Sequence, residues 1–199
     1  MSNLENIYIR ILIISTIILG IIGFIDDYIK VFRKDKKGLK GKFKITGQAI
    51  LGIFVGIMLL TSNDITIVDF SSINDINNIE NFQSNEIKSF KTTTPFFKDN
   101  ELDYALISNA IFKNENMLWL ILIPIIIFIV TAVSNSNNLT DGLDGLSAGT
   151  SAIIVFTLGV FAWTSGNIIF SDYLNIMYIP RVGEITIFIA SLLGSLVGF

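Results

Sequence analysis

Asn137-Asn138-Leu139-Thr140-Asp141-Gly142-Leu143-Asp144-Gly145-Leu146 concentrates two aspartates, asparagine and two glycines in ten residues. It stands between two apolar runs, Met117 to Val133 and Thr150 to Phe170. Charged groups beside a membrane are costly and usually functional. A second acidic stretch, Asp26-Asp27-Tyr28, closes another apolar run. How the chain is read depends on whether these two stretches meet.

The 199 residues are 51% hydrophobic and 16% charged, with mean hydropathy +0.64. That balance belongs to membrane proteins rather than soluble domains. The chain has no cysteine and no histidine. Thiolate chemistry and imidazole proton shuttling are therefore excluded, and a metal site would need oxygen ligands. The first apolar run lacks a basic start and ends in Asp26-Asp27, unlike a cleaved signal peptide.

Spanning a bilayer takes about 20 largely apolar residues. Five runs approach this: Ile7 to Ile25, Ile45 to Leu60, Met117 to Val133, Thr150 to Phe170 and Glu184 to Phe199. Lipid favours helices, whose backbone hydrogen bonds are internal. The fold expected is an all-α polytopic transmembrane bundle of about five spans, forming a single membrane domain over 1–199. Between the first two runs, eight of the fourteen basic residues fall within Lys30 to Lys44, which assigns that loop to the cytoplasm. The connection from Thr61 to Asn116 carries nine acidic residues against four lysines and falls outside. Within it, Ile65 to Phe70 reads as a short strand and the Asn/Ser-rich remainder as loosely ordered. Two spans separate Asp26-Asp27 from Asn138 to Asp144, so parity places both on the cytoplasmic face, with the N-terminus outside and Phe199 inside.

Adjacent carboxylates repel unless a cation intervenes. Mg²⁺ suits such a pair, because it takes one or two carboxylates together with phosphate oxygens. Asp26-Asp27 by itself reads rather as the polar end of a span, and most of the lysines read as topology and headgroup contacts. Lys30, Lys42 and Lys44 nevertheless flank the pair closely enough to meet a phosphorylated ligand. Asn138, Asp141 and Asp144 recur every three residues and form one stripe if the segment is helical. A plain helix start, with Thr140 or Asp141 as N-cap, accounts for one aspartate but not for two with the amide. Carboxylates combined with lysines suit Mg²⁺-assisted phosphoryl transfer, and the membrane setting implies a lipid substrate. An ion or proton transport module would carry its acids at mid-depth, whereas these cluster at span ends. A non-catalytic membrane fragment is the third alternative.

The segments Gly23 to Val31, Gly38-Leu39, Lys42 to Gln48 and Asn138 to Leu146 closely resemble the phospho-N-acetylmuramoyl-pentapeptide transferase branch of the polyprenyl-phosphate N-acetylhexosamine-1-phosphate transferases. The sister branch transfers GlcNAc-1-phosphate from UDP-GlcNAc and is the alternative within the family. The resemblance implies a ten-helix, Mg²⁺-dependent enzyme of the cytoplasmic (inner) membrane, often a dimer, which makes a homodimer an expectation. It implies transfer of phospho-MurNAc-pentapeptide from UDP-MurNAc-pentapeptide to undecaprenyl phosphate, giving lipid I and UMP in peptidoglycan synthesis. No nucleic acid partner is implied. By resemblance, Asp26 and Asp27 take base or metal roles. Asn138, Asp141 and Asp144 line the nucleotide side, with Gly142-Leu143-Asp144 near the uracil and Asp141 among the catalytic group. Lys42 is a phosphate contact, and Lys30 joins it on the substrate side. The family continues to a Met-Gly-Asp stretch and a histidine-rich motif, neither of which this chain holds. The chain is therefore expected to be an internal part of such an enzyme and inactive by itself.

Overall fold

A computed structural model describes residues 3–34, 38–68, 86–94, 101–114, 117–142 and 145–198. Seven α-helices occur among them: α1 (Ile7–Phe32), α2 (Gly41–Thr61), α3 (Tyr104–Phe112), α4 (Trp119–Thr140), α5 (Leu146–Ser165), α6 (Ile168–Tyr173) and α7 (Gly183–Gly198). Four short strands, β1 (Ile67–Val68), β2 (Glu86–Ile87), β3 (Lys91–Thr93) and β4 (Glu101–Asp103), pair antiparallel as β1-β2 and β3-β4. Helices α1, α2, α4 and α5 are long and apolar enough to cross a membrane. The expected fifth span is α7, an apolar helix of 16 residues. At 1.5 Å per residue it is about 24 Å long, short of a full hydrocarbon core.

The predicted spans need three corrections. Helix α1 does not stop at Ile25 but runs to Phe32, carrying the paired aspartates on helical backbone. Asp26 and Lys30, four apart, attract one another along the helix face and support that last stretch. Helix α4 runs past Val133 to Thr140, so Asn135, Asn137 and Asn138 are helical. The predicted run from Thr150 to Phe170 is two helices. Helix α5 ends at Ser165, and Asn167 starts α6 by accepting hydrogen bonds from the N–H groups of Ile169 and Phe170. The strand expected within Ile65 to Phe70 is β1, while much of the Asn/Ser-rich remainder lies outside the described residues.

Two helix pairs make the body. Helices α2 and α4 pack antiparallel through Gly52 and Gly56, which face Ile127 and Ile123. A Cβ on Gly52 would stand 2.8 Å from the Ile127 Cα, so glycine is what permits this approach. Helices α5 and α7 pack antiparallel in the same way, with Gly159 against Ile189 and Gly166 against Gly183. At one end of the bundle α1 and α7 are tied together. Asn6 Nδ2 donates to the Arg181 carbonyl at 2.8 Å, and the Asn3 N–H donates to Glu184 at 3.1 Å. Arg181 also pairs with Asp64 beyond α2, and the Val68 N–H of β1 donates to the Tyr178 carbonyl. Ile7, Ile9, Val68 and Val182 are buried beneath these contacts. At the opposite end the helices part around a cavity.

Candidate functional site

The cavity holds about 1120 Å³ between α1, α2, α4, α5 and α7. Its polar end is lined by Asp26, Asp27, Lys44, Asn138 and Asp141, and its apolar walls include Leu19, Ile22, Val133, Ile154 and Leu196. The two acidic stretches therefore share one end of the bundle and one cavity, as parity required.

The neighbouring aspartates are treated differently. Asp26 is 3% exposed and fully engaged. Its Oδ2 lies 2.6 Å from Lys30 Nζ, and its Oδ1 lies 2.9 Å from Lys44 Nζ and accepts the Leu39 N–H at 2.7 Å. Gly38, at φ +62°, brings the backbone against the carboxylate where a side chain could not fit. Asp26 thus fastens the α1–α2 connection and orients two lysines. The Asp27 side chain is 71% exposed and only loosely paired, with Lys30 Nζ at 3.4 Å. Lys44 is brought to the cavity; Lys42, exposed in the first turn of α2, is not among the lining groups.

Helix α4 distributes its asparagines among three neighbours, because successive residues turn by about 100°. Asn135 faces α2, exchanging hydrogen bonds with buried Gln48, whose Nε2 also donates to Ser134 Oγ at 2.9 Å. Asn137 faces α5, its Oδ1 accepting from Ser147 at 2.9 Å and Ser151 at 3.1 Å. Asn138 lines the cavity, which Asn135 and Asn137 also border. The expected helical stripe of Asn138, Asp141 and Asp144 is interrupted. Helix α4 stops at Thr140, and Asp141 (φ −76°, ψ 52°) centres a tight turn in which the Gly142 N–H donates to the Thr140 carbonyl at 2.8 Å. These are the dihedrals of an inverse γ-turn. Neither Thr140 nor Asp141 caps α5, whose N-cap is Gly145 at φ +79°. Asp141 and Gly142 are exposed, while Leu143 and Asp144 lie outside the described residues.

Gln48, Asn135 and Asn137 had no role assigned from sequence. A signal existed for Gln48, which follows Lys44 by four residues and interrupts an apolar helix. Nothing in the Asn-rich run distinguishes which amide faces which helix.

Mg²⁺ can be tested against this donor set. Both oxygens of Asp26 are already taken by cations and an N–H. Asp27 and Asp141 line the cavity and are exposed, and no group of three acidic residues converges among the described residues. Mg²⁺ takes one or two carboxylates and completes its shell with water and phosphate oxygens, so the kind of donor that Asp27 and Asp141 offer suits it.

Residues 9–199 match the model of glycosyl transferase family 4. A phospho-N-acetylmuramoyl-pentapeptide-transferase of Flavobacterium psychrophilum is 55% identical over all of this chain and 50% of its own length. Relatives of the same name from Flavobacterium johnsoniae and Amoebophilus asiaticus are 51% and 53% identical, again over the whole chain and 50% and 49% of their own lengths. The chain spans about half the length of the curated relatives it matches. A family match over nearly all of its residues, with identities above half, makes the chain a member of glycosyl transferase family 4.

Proposed function

We propose that this chain serves the transfer of phospho-MurNAc-pentapeptide from UDP-MurNAc-pentapeptide to undecaprenyl phosphate in a bacterial cytoplasmic membrane, giving lipid I and UMP. The observation that carries the reading is the cavity itself. Its carboxylates and lysine sit at one end of membrane-length helices and pass directly into apolar walls, as a phosphorylated lipid and a water-soluble nucleotide together require. The relatives' names supply the substrate class.

The attacking lipid phosphate has a second pKa of about 6 and is mostly deprotonated at neutral pH. A strong general base is therefore not the first need. The obstacle is bringing two anionic phosphates together, which calls for positive charge fixed in advance. Lys44, oriented by Asp26, faces the cavity and supplies such charge. Lys30 stands beside both aspartates, and Lys42, exposed in the first turn of α2, meets phosphate on approach. Asp27 and Asp141 are the groups that would hold Mg²⁺; Asp26, first read as a base or metal ligand, takes the role of anchor for the lysines. The ion, when bound, supplies countercharge to the phosphates. Asn138, Gly142, Leu143 and Asp144 are assigned to the nucleotide side, with Asp141 at the junction.

Binding of labelled UDP-MurNAc-pentapeptide to the purified chain in lipid nanodiscs tests the proposal. Mg²⁺-dependent binding that is lost in Asp141→Ala and resists competition by UDP-GlcNAc is expected. Equal displacement by UDP-GlcNAc would move the chain to the GlcNAc-1-phosphate branch. Absence of Mg²⁺-dependent binding would sink the transferase reading.

A further inference from the structure

We infer that Asn137 is a positioning residue that closes the base of the turn carrying Asp141. Its Oδ1 accepts hydrogen bonds from two hydroxyls of α5, Ser147 and Ser151, one helical turn apart. The first of these joins residues ten apart in sequence, one before the turn and one after it. Among the described residues the turn has little else to hold it. Asp141 and Gly142 are exposed, the Gly142 Cβ position meets nothing within 4 Å, and α5 starts at Gly145 with no side-chain cap. Asn135 ties α4 to α2 on the far side of the helix. Asn137 is therefore a polar link, among the described residues, from the end of α4 across to α5. Closing a short loop at its base removes much of its conformational freedom. Asp141 is then presented to the cavity from a fixed turn rather than from a flexible strap. Asn137 acts through that turn and has no assigned contact with ligand.

The amide oxygen, rather than the amide N–H groups, makes the link. An aspartate in its place retains the acceptor, whereas alanine removes it. The native chain has no cysteine, so a single spin label can report on the turn. A nitroxide on Gly142→Cys is expected to show a restricted spectrum. Adding Asn137→Ala, or Ser147→Ala with Ser151→Ala, should raise the ratio of mobile to restricted label roughly fivefold to tenfold, the effect of two hydrogen bonds of the size found between membrane helices. All three alanines together should go no further, because they remove one linkage. Asn137→Asp should keep the restricted spectrum. A label on Phe43→Cys, exposed on α2, should not change in any of these variants. An unchanged Gly142 label in Asn137→Ala, an Asn137→Asp spectrum as mobile as that of alanine, or equal loosening at Phe43 would each overturn the inference. The relevance of the turn to catalysis rests on the transferase proposal, but the spectra are taken without ligand. Failure here leaves that proposal standing, and failure of substrate binding leaves this one standing.

Discussion

Asp26 and Asp27 are adjacent in sequence and opposite in circumstance. A helix turns by about 100° per residue, so one carboxylate faces the α1–α2 connection and the other faces solvent at the cavity. Asp26→Ala would leave Lys44 and the Leu39 N–H without this acceptor and Lys30 with only its looser pairing to Asp27. Its expected cost is about 2–3 kcal/mol of stability, measured by denaturant unfolding in detergent, with part restored in Asp26→Asn. Asp27→Ala should change stability by less than about 0.5 kcal/mol, because its partner is distant and both groups are solvated. It should instead abolish Mg²⁺-dependent nucleotide binding. A comparable stability loss in both variants would contradict this division of labour. The sequence shows that two acids stand here, but which of them is buried depends on where the connection after α1 folds back.

At the scale of elements, the helices are recognised by their apolar runs, yet their ends follow other rules. Apolar content marks where lipid begins and ends, whereas a helix continues into water if its side chains allow. Asp26, Asp27 and Lys30 allow it, through attraction at spacings of three and four. Asn167 stops a run that composition would carry on, because its side chain competes for backbone N–H groups. The glycines of α2 show why small residues in a span need their neighbours to be interpreted. Gly52→Leu should push α2 from α4 and cost about 3 kcal/mol or more, since the obstruction is the backbone of Ile127. Gly149→Ala on α5 meets nothing within 4 Å and should be neutral or stabilising by up to about 1 kcal/mol. Thermal unfolding of both variants checks the contrast; similar losses would mean that the α2–α4 contact is not special.

At the scale of the whole molecule, two helix pairs are joined firmly at one end and enclose a cavity at the other. The joints are made by protein groups: Asn6 with Arg181, Asp64 with Arg181, and β1 with Tyr178. Chelation by EDTA should therefore leave the unfolding midpoint unchanged while weakening UDP-MurNAc-pentapeptide binding roughly tenfold or more, the effect of losing about 1.4 kcal/mol of countercharge. A lowered midpoint would show that a metal ion supports the fold. The sequence by itself determined that this is a helical membrane chain whose two acidic stretches lie at the same end. Both results follow from hydropathy, from the charge of one loop and from counting spans, which are properties of segments taken one at a time. The tertiary structure decided that Asp26 is an anchor, that Asp141 sits in a turn rather than on a helical stripe, and that Asn137 rather than Asn138 faces α5. Those outcomes depend on which groups approach within about 3 Å, and that is set by how the connections after α1 and α4 fold back and by which helix faces meet.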